Sequence, residues 1–306
     1  MDYRSTQCDL EKNSLWSDRR ATTWQLRSSA LEVGSVPLIM GIINATPDSF
    51  SDGGRFYDAG RAVEQALQLV EEGADIIDIG GESTRPYATP VDQEEEIRRI
   101  EPVVRAVCRQ TKIPVSIDTS KAAVACVALD AGAEIINDIT GLAGDEKMMA
   151  VACDSNAGVC AMHMQGNPQT MQDDPQYENV VDEIVDYLQM RFMHLLESGV
   201  ERTRICLDPG IGFGKTHEHN IELLAHASRF LDLAQPVLIG HSRKGFIGKV
   251  LDNKKADRTA ANIGIAMSLA RQGIQVLRVH DVQPVRQALQ LFAVTGGLSR
   301  LGKAME

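Results

Sequence analysis

The sequence predicts a single parallel (β/α)8 TIM barrel, and two observations carry this prediction. Eight short, β-rich apolar runs recur between residues 38 and 279, and segments with helical spacing of apolar residues lie between them. Alternating strands and helices give either a doubly wound sheet or a closed barrel, and the even count with a nearly uniform repeat length favours the barrel. We expect an N-terminal extension at residues 1–35 and one barrel domain at residues 36–306.

The elements follow in order along the chain. The predicted strands are Leu38 to Ile43, Asp75 to Ile79, Pro114 to Ile117, Glu134 to Ile136, Gly158 to Met162, Arg204 to Leu207, Pro236 to Ile239 and Gln275 to Val279. Asp92, with Glu95 three residues later, resembles a capping box at the start of the second helix. Gly132 and Gly273 follow two other helical patterns, where a left-handed residue is expected. The extension lacks an apolar period, so we expect it to pack on the outside or to fray.

Composition limits the classes of partner and location. The formal net charge of -11 argues against a general nucleic-acid or anionic-membrane surface, so an anionic ligand would need a local basic pocket. The six cysteines form no CxxC pair and have no zinc-like spacing, which favours reduced thiols. The polar N-terminus does not resemble a signal peptide, and no apolar run reaches about 18 residues. We therefore expect a cytoplasmic protein that binds neither nucleic acid nor a membrane.

Every predicted strand delivers polar side chains to one rim. In a parallel barrel, the carboxyl ends of the strands share one face, where ligand sites form. The rim set is Asn44, Asp78, Asp118, Asn137, His163, Asp208, Ser242, Lys244, Arg278 and His280. A single Asp or Asn in such a place often only caps the next helix, an interpretation that stays open for Asp138 and Asp281. Eight strands with chemically different side chains favour a convergent polar pocket instead.

The charges on this rim suggest the kind of ligand. The basic members, with one residue of the second loop, are Arg85, Lys244, Arg278 and His280. They predict an anion site, whereas Asp118, Asn137 and Asp208 offer acceptors and an amide to a flat heterocycle with several N–H donors. For Lys244, an ion pair with Asp208 or Asp118 and no ligand remains an alternative.

One tempting phosphate motif is set aside. The run Gly210 to Thr216 ends in GKT like a P-loop, but only three residues separate Gly210 from Gly214 where a P-loop needs four. We also expect no helix to follow the run at once. A P-loop function is therefore not predicted.

Eight ordered segments carry a resemblance to a known family. They are MGIINATPDSFSDGG, IIDIGGESTRP, SIDTSK, IINDI, MHMQGNPQTMQ, LDPGIGFGK, GHSRKGFIG and RVHDV. Through them the chain, from about Leu38 to about Ala293, resembles the dihydropteroate synthases of folate biosynthesis. The resemblance implies condensation of 6-hydroxymethyl-7,8-dihydropterin pyrophosphate with 4-aminobenzoate by a Mg2+-assisted, SN1-like substitution that releases pyrophosphate. It also implies sulfonamide inhibitors and a homodimer.

The resemblance further implies roles for particular residues. The pterin site would comprise Asp118, Asn137, Met162, Asp208, Lys244 and Arg278. Pyrophosphate would bind at Asn44, Asp52, Arg278 and His280, with Asn44 as the metal ligand. The 4-aminobenzoate site would comprise Phe50, Thr84, Arg85, Pro86, Phe213 and Ser242. The catalytic set would be Asp118, Asp208, Lys244 and Arg278, and the first loop, after Asn44, would close as a lid.

Two other functions remain as alternatives. A pterin-binding methyltransferase, which moves a methyl group from a folate to a corrinoid, would share the barrel and the pterin site. A non-catalytic barrel would bind pterin only as a regulator or an assembly partner. The segments GESTRP, SRKG and RVHD favour the synthase, because a methyltransferase has no pyrophosphate to hold.

Overall fold

Eight parallel strands close into a barrel in the computed structural model, which describes residues 21–46, 59–253 and 255–298. The strands are β1 (Thr23–Gln25), β2 (Ala30–Glu32), β3 (Leu38–Asn44), β4 (Ile76–Gly80), β5 (Val115–Asp118), β6 (Ile135–Asp138), β7 (Gly158–Met162), β8 (Ile205–Asp208), β9 (Leu238–Ile239) and β10 (Val276–Val279). The sheet runs from β8 through β3 to β10 and β9, and a parallel bridge between Leu207 and Val237 brings its two ends together. The predicted fold class and all eight barrel strands are confirmed.

Helices cover the outside of the barrel. They are α1 (Ala59–Glu71), α2 (Gln93–Gln110), α3 (Ala122–Ala131), α4 (Met148–Ser155), α5 (Val180–Glu197), α6 (His217–Ala225), α7 (Gly245–Val250), α8 (Thr259–Gln272) and α9 (Val282–Val294). Gly132 and Gly273 have φ values of 117° and 90°, which confirms the predicted left-handed ends of α3 and α8. Among the residues described, no helix is both long enough and apolar enough to cross a membrane.

The start of α2 differs in detail from the prediction. The Asp92 side chain accepts a hydrogen bond from the Glu94 backbone N–H at 2.8 Å and thereby caps the helix. Glu95, the predicted partner in a capping box, instead accepts a hydrogen bond from Arg99 at 2.8 Å. The cap is therefore an Asp cap with a side-chain ion pair one turn later.

The described part of the N-terminal extension closes the amino-terminal end of the barrel. Strands β1 and β2 form an antiparallel hairpin, and Trp24 and Leu26 are buried against side chains from the starts of the barrel strands. Trp24 Nε1 donates a hydrogen bond to the Arg204 carbonyl at 2.9 Å. Residues 21–35 thus do more than pack on the outside. The division at residue 35 stays a prediction, and residues 1–20 lie outside the described residues.

Side chains that point into the barrel form an apolar layer beneath a polar one. The apolar layer contains Met40, Ile76, Ile135, Cys160, Cys206, Leu238 and Val276. Successive side chains of a strand alternate between faces, so the next inward position lies two residues further on. Those positions carry Asp78, Asn137, Asp208 and Arg278 on four of these strands. The polar side chains of the rim therefore lie directly above a buried apolar layer.

Candidate active site

Arg278 joins two carboxylates near the centre of the barrel mouth. Its Nε donates to Asp78 Oδ2 at 2.6 Å, and its Nη2 donates to Asp118 Oδ2 at 2.5 Å. Asn137 Nδ2 donates to the same Asp78 oxygen at 3.2 Å. Burial opposes the charge on Arg278, but Asp78 and Asp118 raise its pKa above the ordinary value. Three predicted pterin residues thus belong to one hydrogen-bonded cluster, either directly or through Asp78.

Two carboxyl groups on the rim, Asp118 of this cluster and the nearby Asp208, lie in a desolvated environment. Burial raises the pKa of Asp118 to about 7, although the Arg278 charge opposes the shift. Burial also raises the pKa of Asp208 to about 6, against the Gly210 backbone N–H, which donates to its Oδ1 at 2.7 Å. Both shifts move the pKa toward the neutral range, so we expect ligand binding at these carboxyl groups to depend on pH.

Lys244 contacts an aromatic ring and makes no close ion pair with another described residue. Its Nζ lies 4.2 Å from the centroid of the Phe213 ring, a cation–π distance. No carboxylate oxygen of a described residue lies within the 4.0 Å of an ion pair, so the alternative of an ion pair with Asp208 or Asp118 is not what the structure shows. Burial, followed by the Arg278 charge, lowers the pKa of Lys244 to about 8. The ammonium is thus available to a ligand.

An apolar wall stands beside these charges. Met162, at the end of β7, packs with Ile139, Met171 and Phe213 in one buried cluster. This cluster is separate from the apolar floor of the barrel. A flat ring held between the wall and the polar cluster would have an apolar face contact and hydrogen-bonding edges, as the predicted pterin site requires.

His280 and Ser242 form a second polar contact on the rim. Ser242 Oγ accepts a hydrogen bond from the His280 backbone N–H at 3.2 Å and lies 3.1 Å from His280 Nδ1. Burial, then the charges of Arg243 and Arg278, lower the pKa of His280 to about 3. We therefore expect the His280 imidazole to be neutral near pH 7, so that it can offer a pyrophosphate a hydrogen bond rather than a permanent charge.

Asn44 ends β3 on the same rim, in register with Gly80 of β4. It is half-buried, and its side-chain amide has no hydrogen-bond partner within the described ranges. A Mg2+ ion prefers oxygen ligands and often takes one or two from a protein and the rest from water and substrate phosphates. The amide oxygen of Asn44 fits that requirement. The predicted residues Phe50 and Asp52 lie outside the described residues.

The second loop, after β4, is more open. Thr84 is half-buried, whereas Arg85 and Pro86 are exposed. The Arg85 carbonyl accepts a hydrogen bond from the Ala88 backbone N–H at 3.1 Å, but the guanidinium forms no hydrogen bond or ion pair with the rest of the described chain. The structure therefore brings Lys244, Arg278 and His280 together on the rim but leaves Arg85 apart. The substrate roles of all the named residues stay predictions.

Sequence reasoning missed Lys215, the last charged residue of the rejected P-loop run. Helix α6 begins at His217, directly after that run, so the expectation of no immediate helix was wrong; Thr216 caps it by accepting from the His219 backbone N–H at 3.1 Å. Lys215 is 2% exposed, and its Nζ lies 3.0 Å from His163 Nδ1 and 2.8 Å from the Phe213 carbonyl. Burial lowers its pKa to about 7. The lysine points into the protein, not toward a phosphate.

Comparison with known proteins places this site in a family. Residues 40–280 match the family model described as "Pterin binding enzyme". The dihydropteroate synthase of Haemophilus influenzae is 44% identical over 261 residues, covering 85% of this chain and 94% of the relative. The Xanthomonas albilineans dihydropteroate synthase solved with 4-aminobenzoic acid has a TM-score of 0.84 at 39% identity, covering 91% of this chain and 100% of that one. The Yersinia pestis dihydropteroate synthase solved with a sulfonamide drug has a TM-score of 0.83 at 39% identity, covering 89% and 98%. The chain therefore belongs to the pterin-binding enzyme family and, within it, to the dihydropteroate synthases.

Proposed function

We propose that this chain condenses 6-hydroxymethyl-7,8-dihydropterin pyrophosphate with 4-aminobenzoate to give 7,8-dihydropteroate and pyrophosphate. The observation that carries the proposal is the cluster in which Arg278 joins Asp78 and Asp118 on a rim that also carries Asp208 and Lys244. Membership of the synthase family supports the same reaction.

The pterin ring is held by acceptors below and an apolar wall beside it. Asp118 and Asp208 accept hydrogen bonds from the ring N–H groups, and Asn137 supplies an amide that both donates and accepts. Asn137 is fixed by its hydrogen bond to the buried Asp78, so its free groups have a defined direction. Met162 covers an apolar part of the ring. These contacts fix the reacting methylene relative to the basic rim.

The reaction needs charge stabilisation rather than a nucleophilic side chain. Departure of pyrophosphate leaves a cationic methylene on the pterin and collects negative charge on the leaving group. The carboxylates of Asp118 and Asp208 stabilise the first charge, while Lys244, Arg278 and the N–H of His280 stabilise the second. The amine of 4-aminobenzoate then forms the new C–N bond and loses a proton. An SN1-like substitution of this kind suits a site with buried charges of both signs.

Mg2+ is part of the proposal. Asn44 would hold the ion through its amide oxygen, and the ion would supply Lewis-acid stabilisation of the leaving group when it is bound. Within the described ranges, no group of three or more His, Cys, Asp or Glu side chains could hold a metal. We therefore expect the ion to depend on substrate oxygens as well as on the protein. Calorimetric titration of the protein with Mg2+, in the presence and in the absence of inorganic pyrophosphate, tests this dependence.

The second substrate is assigned to the outer part of the mouth. Phe213 is largely buried and offers a ring edge or face, Thr84 and Pro86 come from the second loop, and Ser242 lies beside His280. The X. albilineans relative was solved with 4-aminobenzoic acid, and the Y. pestis relative was solved with a sulfonamide drug. We extend both ligands to this chain and expect sulfonamides to compete with 4-aminobenzoate, which steady-state inhibition kinetics would show.

One assay separates the synthase from its rivals. Purified protein is incubated with Mg2+, the pterin pyrophosphate and 4-aminobenzoate, and both pyrophosphate and dihydropteroate are measured. Equal amounts of the two products are expected. Folded protein that binds pterin without turnover would favour a non-catalytic barrel, and methyl transfer from a methylated folate to a corrinoid would favour the methyltransferase.

Assembly and location belong to the same proposal. A homodimer is expected from the family resemblance, and light scattering coupled to size-exclusion chromatography tests it. A cytoplasmic location is expected because the composition favours reduced thiols. Fractionation of the source cells, with an antibody against this chain, would test the location.

A further inference from the structure

Two adjacent residues of the loop after β7 reach to different loops of the barrel mouth. This loop, residues 163–179 between β7 and α5, is called the fifth loop here. Gln172 Nε2 donates to the Gly212 carbonyl at 2.8 Å, in the loop after β8. Asp173 Oδ1 accepts from the Tyr87 hydroxyl at 2.9 Å, in the second loop. One dipeptide thus connects two segments that contribute to the proposed 4-aminobenzoate site.

The Tyr87 end of this connection has an unusual backbone. Tyr87 has a φ of 61°, in the left-handed region that bulky side chains rarely adopt. Its backbone N–H donates to the Pro168 carbonyl at 3.2 Å, so both its main chain and its hydroxyl contact the fifth loop. Such a conformation persists where surrounding contacts hold it, and it is concentrated at functional sites. Tyr87 directly follows Thr84, Arg85 and Pro86, the three second-loop residues assigned to 4-aminobenzoate.

The other end of the connection fixes Phe213. The Gly212 carbonyl accepts from Gln172, and the Gly214 carbonyl accepts from the Tyr177 hydroxyl at 2.8 Å. Both donors belong to the fifth loop, and they bind the residues immediately before and after Phe213. The Phe213 ring in turn lies under the Lys244 ammonium. The backbone around this ring is therefore held by the same loop that holds Tyr87.

We propose that Gln172 and Asp173 are positioning residues for the second substrate. They set the spacing between the second loop and Phe213, and so the width of the 4-aminobenzoate site, without touching the reacting atoms. This role rests on the proposed function, since it concerns the second substrate of that reaction. The pterin cluster of Arg278, Asp78 and Asp118 makes no hydrogen bond to either residue. The bond between Asp173 and Tyr87 holds the second loop rather than the apolar wall that contains Phe213, so loss of that bond should leave pterin binding unchanged.

The test compares two neighbouring acids. Asp173→Ala and Tyr87→Phe each remove the same hydrogen bond, and Asp174→Ala removes an equal charge one residue away, where the carboxylate accepts from Gln176 instead. We expect the first two variants to lose about two- to tenfold in kcat/KM for 4-aminobenzoate, the effect of one ordinary hydrogen bond. Asp174→Ala should retain the wild-type value, and all three should bind the pterin pyrophosphate as wild type does in calorimetry.

A double variant makes the role falsifiable. If the two residues act through their mutual bond, Tyr87→Phe combined with Asp173→Ala should lose no more than either change alone. Additive losses, equal losses in Asp174→Ala, or a parallel loss of pterin affinity would each overturn the role while leaving the synthase activity established. Absence of turnover by the wild-type protein would overturn the proposed function and this role together.

Comparison of Tyr87→Gly with Tyr87→Phe separates the effect of the Tyr87 hydroxyl from the effect of its backbone conformation. Tyr87→Gly relieves the left-handed conformation and removes the hydroxyl, so we expect a higher Tm than wild type together with the kinetic loss of Tyr87→Phe. Wild-type kcat/KM for 4-aminobenzoate in this variant would show that the bond to Asp173 has no positioning role.

Discussion

Arg278 Nη2 lies 2.5 Å from Asp118 Oδ2, although the two residues are 160 positions apart in the sequence. The bond engages one oxygen of the carboxylate with a cation and leaves the other oxygen to accept from a ligand. Because Asp78 of β4 binds the same guanidinium through Nε, Arg278 has little freedom to move. The proposed pterin site is therefore held in place by ion pairs within the protein itself.

Removal of the Asp118 carboxylate should chiefly weaken pterin binding. Asp118→Ala deletes an acceptor for the ring N–H groups and a partner of Arg278, so we expect a loss of roughly 1–3 kcal/mol in binding free energy. Calorimetry with the pterin pyrophosphate measures it. Asp186→Ala, an exposed acid on α5, serves as the control and should bind normally. An unchanged affinity in Asp118→Ala would show that the pterin site is misassigned.

Pterin affinity should fall as the pH decreases through the neutral range. Burial raises the pKa of Asp118 to about 7, so below that pH the group is protonated and presents one acceptor fewer to the ring. In Asp118→Asn the remaining decrease should move to about pH 6, where Asp208 is protonated. Titration with a pterin that lacks pyrophosphate keeps the phosphate groups out of the measurement. A flat profile between pH 5 and pH 8, a window chosen to span both pKa values, would contradict the assignment.

Asp78 should be needed for stability as well as for binding. It is fully buried and accepts from both Arg278 and Asn137, so Asp78→Ala leaves a buried guanidinium with one carboxylate partner fewer. Loss of one member of a buried pair costs about 3–5 kcal/mol of unfolding free energy. Urea unfolding measures the cost. Asp78→Asn, which keeps the shape and an acceptor oxygen, should lose less unfolding free energy than Asp78→Ala. Equal losses in the two variants would show that the charge of Asp78 alone sets the effect.

The hairpin before the barrel should contribute to folding without contributing to chemistry. Trp24 is fully buried at the amino-terminal end of the barrel, opposite the rim, and donates to the Arg204 carbonyl. Trp24→Ala should lower the unfolding free energy by about 3–5 kcal/mol, as large aromatic truncations do. At temperatures where both proteins are folded, kcat should equal the wild-type value. The unfolding free energy of Trp24→Phe, which keeps most of the packing, should lie between those of the wild type and Trp24→Ala. A lower kcat in folded Trp24→Ala would link the hairpin to the site.

The strand pattern was sufficient to predict the barrel and much of its rim. Asp118, Asn137, Asp208 and Arg278 lie at or near the ends of predicted strands, where the geometry of a parallel barrel directs side chains to one mouth. The boundaries of the predicted strands differ from the observed ones by up to two residues, because hydrogen bonds, not hydrophobicity, define them. Asp78 was recognisable as a rim residue, but its two partners come from β6 and β10, and no local pattern identifies them.

Contacts between loops could not be predicted in the same way. The backbone angle of Tyr87 and its bond to Asp173 depend on how two loops, 86 residues apart in sequence, meet above the barrel. Lys215 was misleading for a different reason: its motif resembles a phosphate loop, and only the packing of His163 and Phe213 around it shows a buried ammonium. Local sequence patterns predict the strands well but do not predict contacts between loops that are distant in sequence.

The 4-aminobenzoate substrate should bind tightly only when pyrophosphate, the leaving group of the first substrate, is already in the site. Two of the six residues assigned to 4-aminobenzoate, Arg85 and Pro86, are exposed in the structure, and Phe50 of the first loop lies outside the described residues, so the described part of the site is incomplete. If the first loop closes over bound pyrophosphate, it completes the site only then. We expect calorimetry to detect weak binding of 4-aminobenzoate to the protein with Mg2+ alone and at least tenfold tighter binding, equivalent to about 1.4 kcal/mol, when pyrophosphate is added. Inorganic sulfate at equal ionic strength is the control, since it is a tetrahedral anion that lacks the second, linked phosphate group of pyrophosphate. Equal affinity in all three conditions would mean that the second loop and the loop after β8 form the site without a lid.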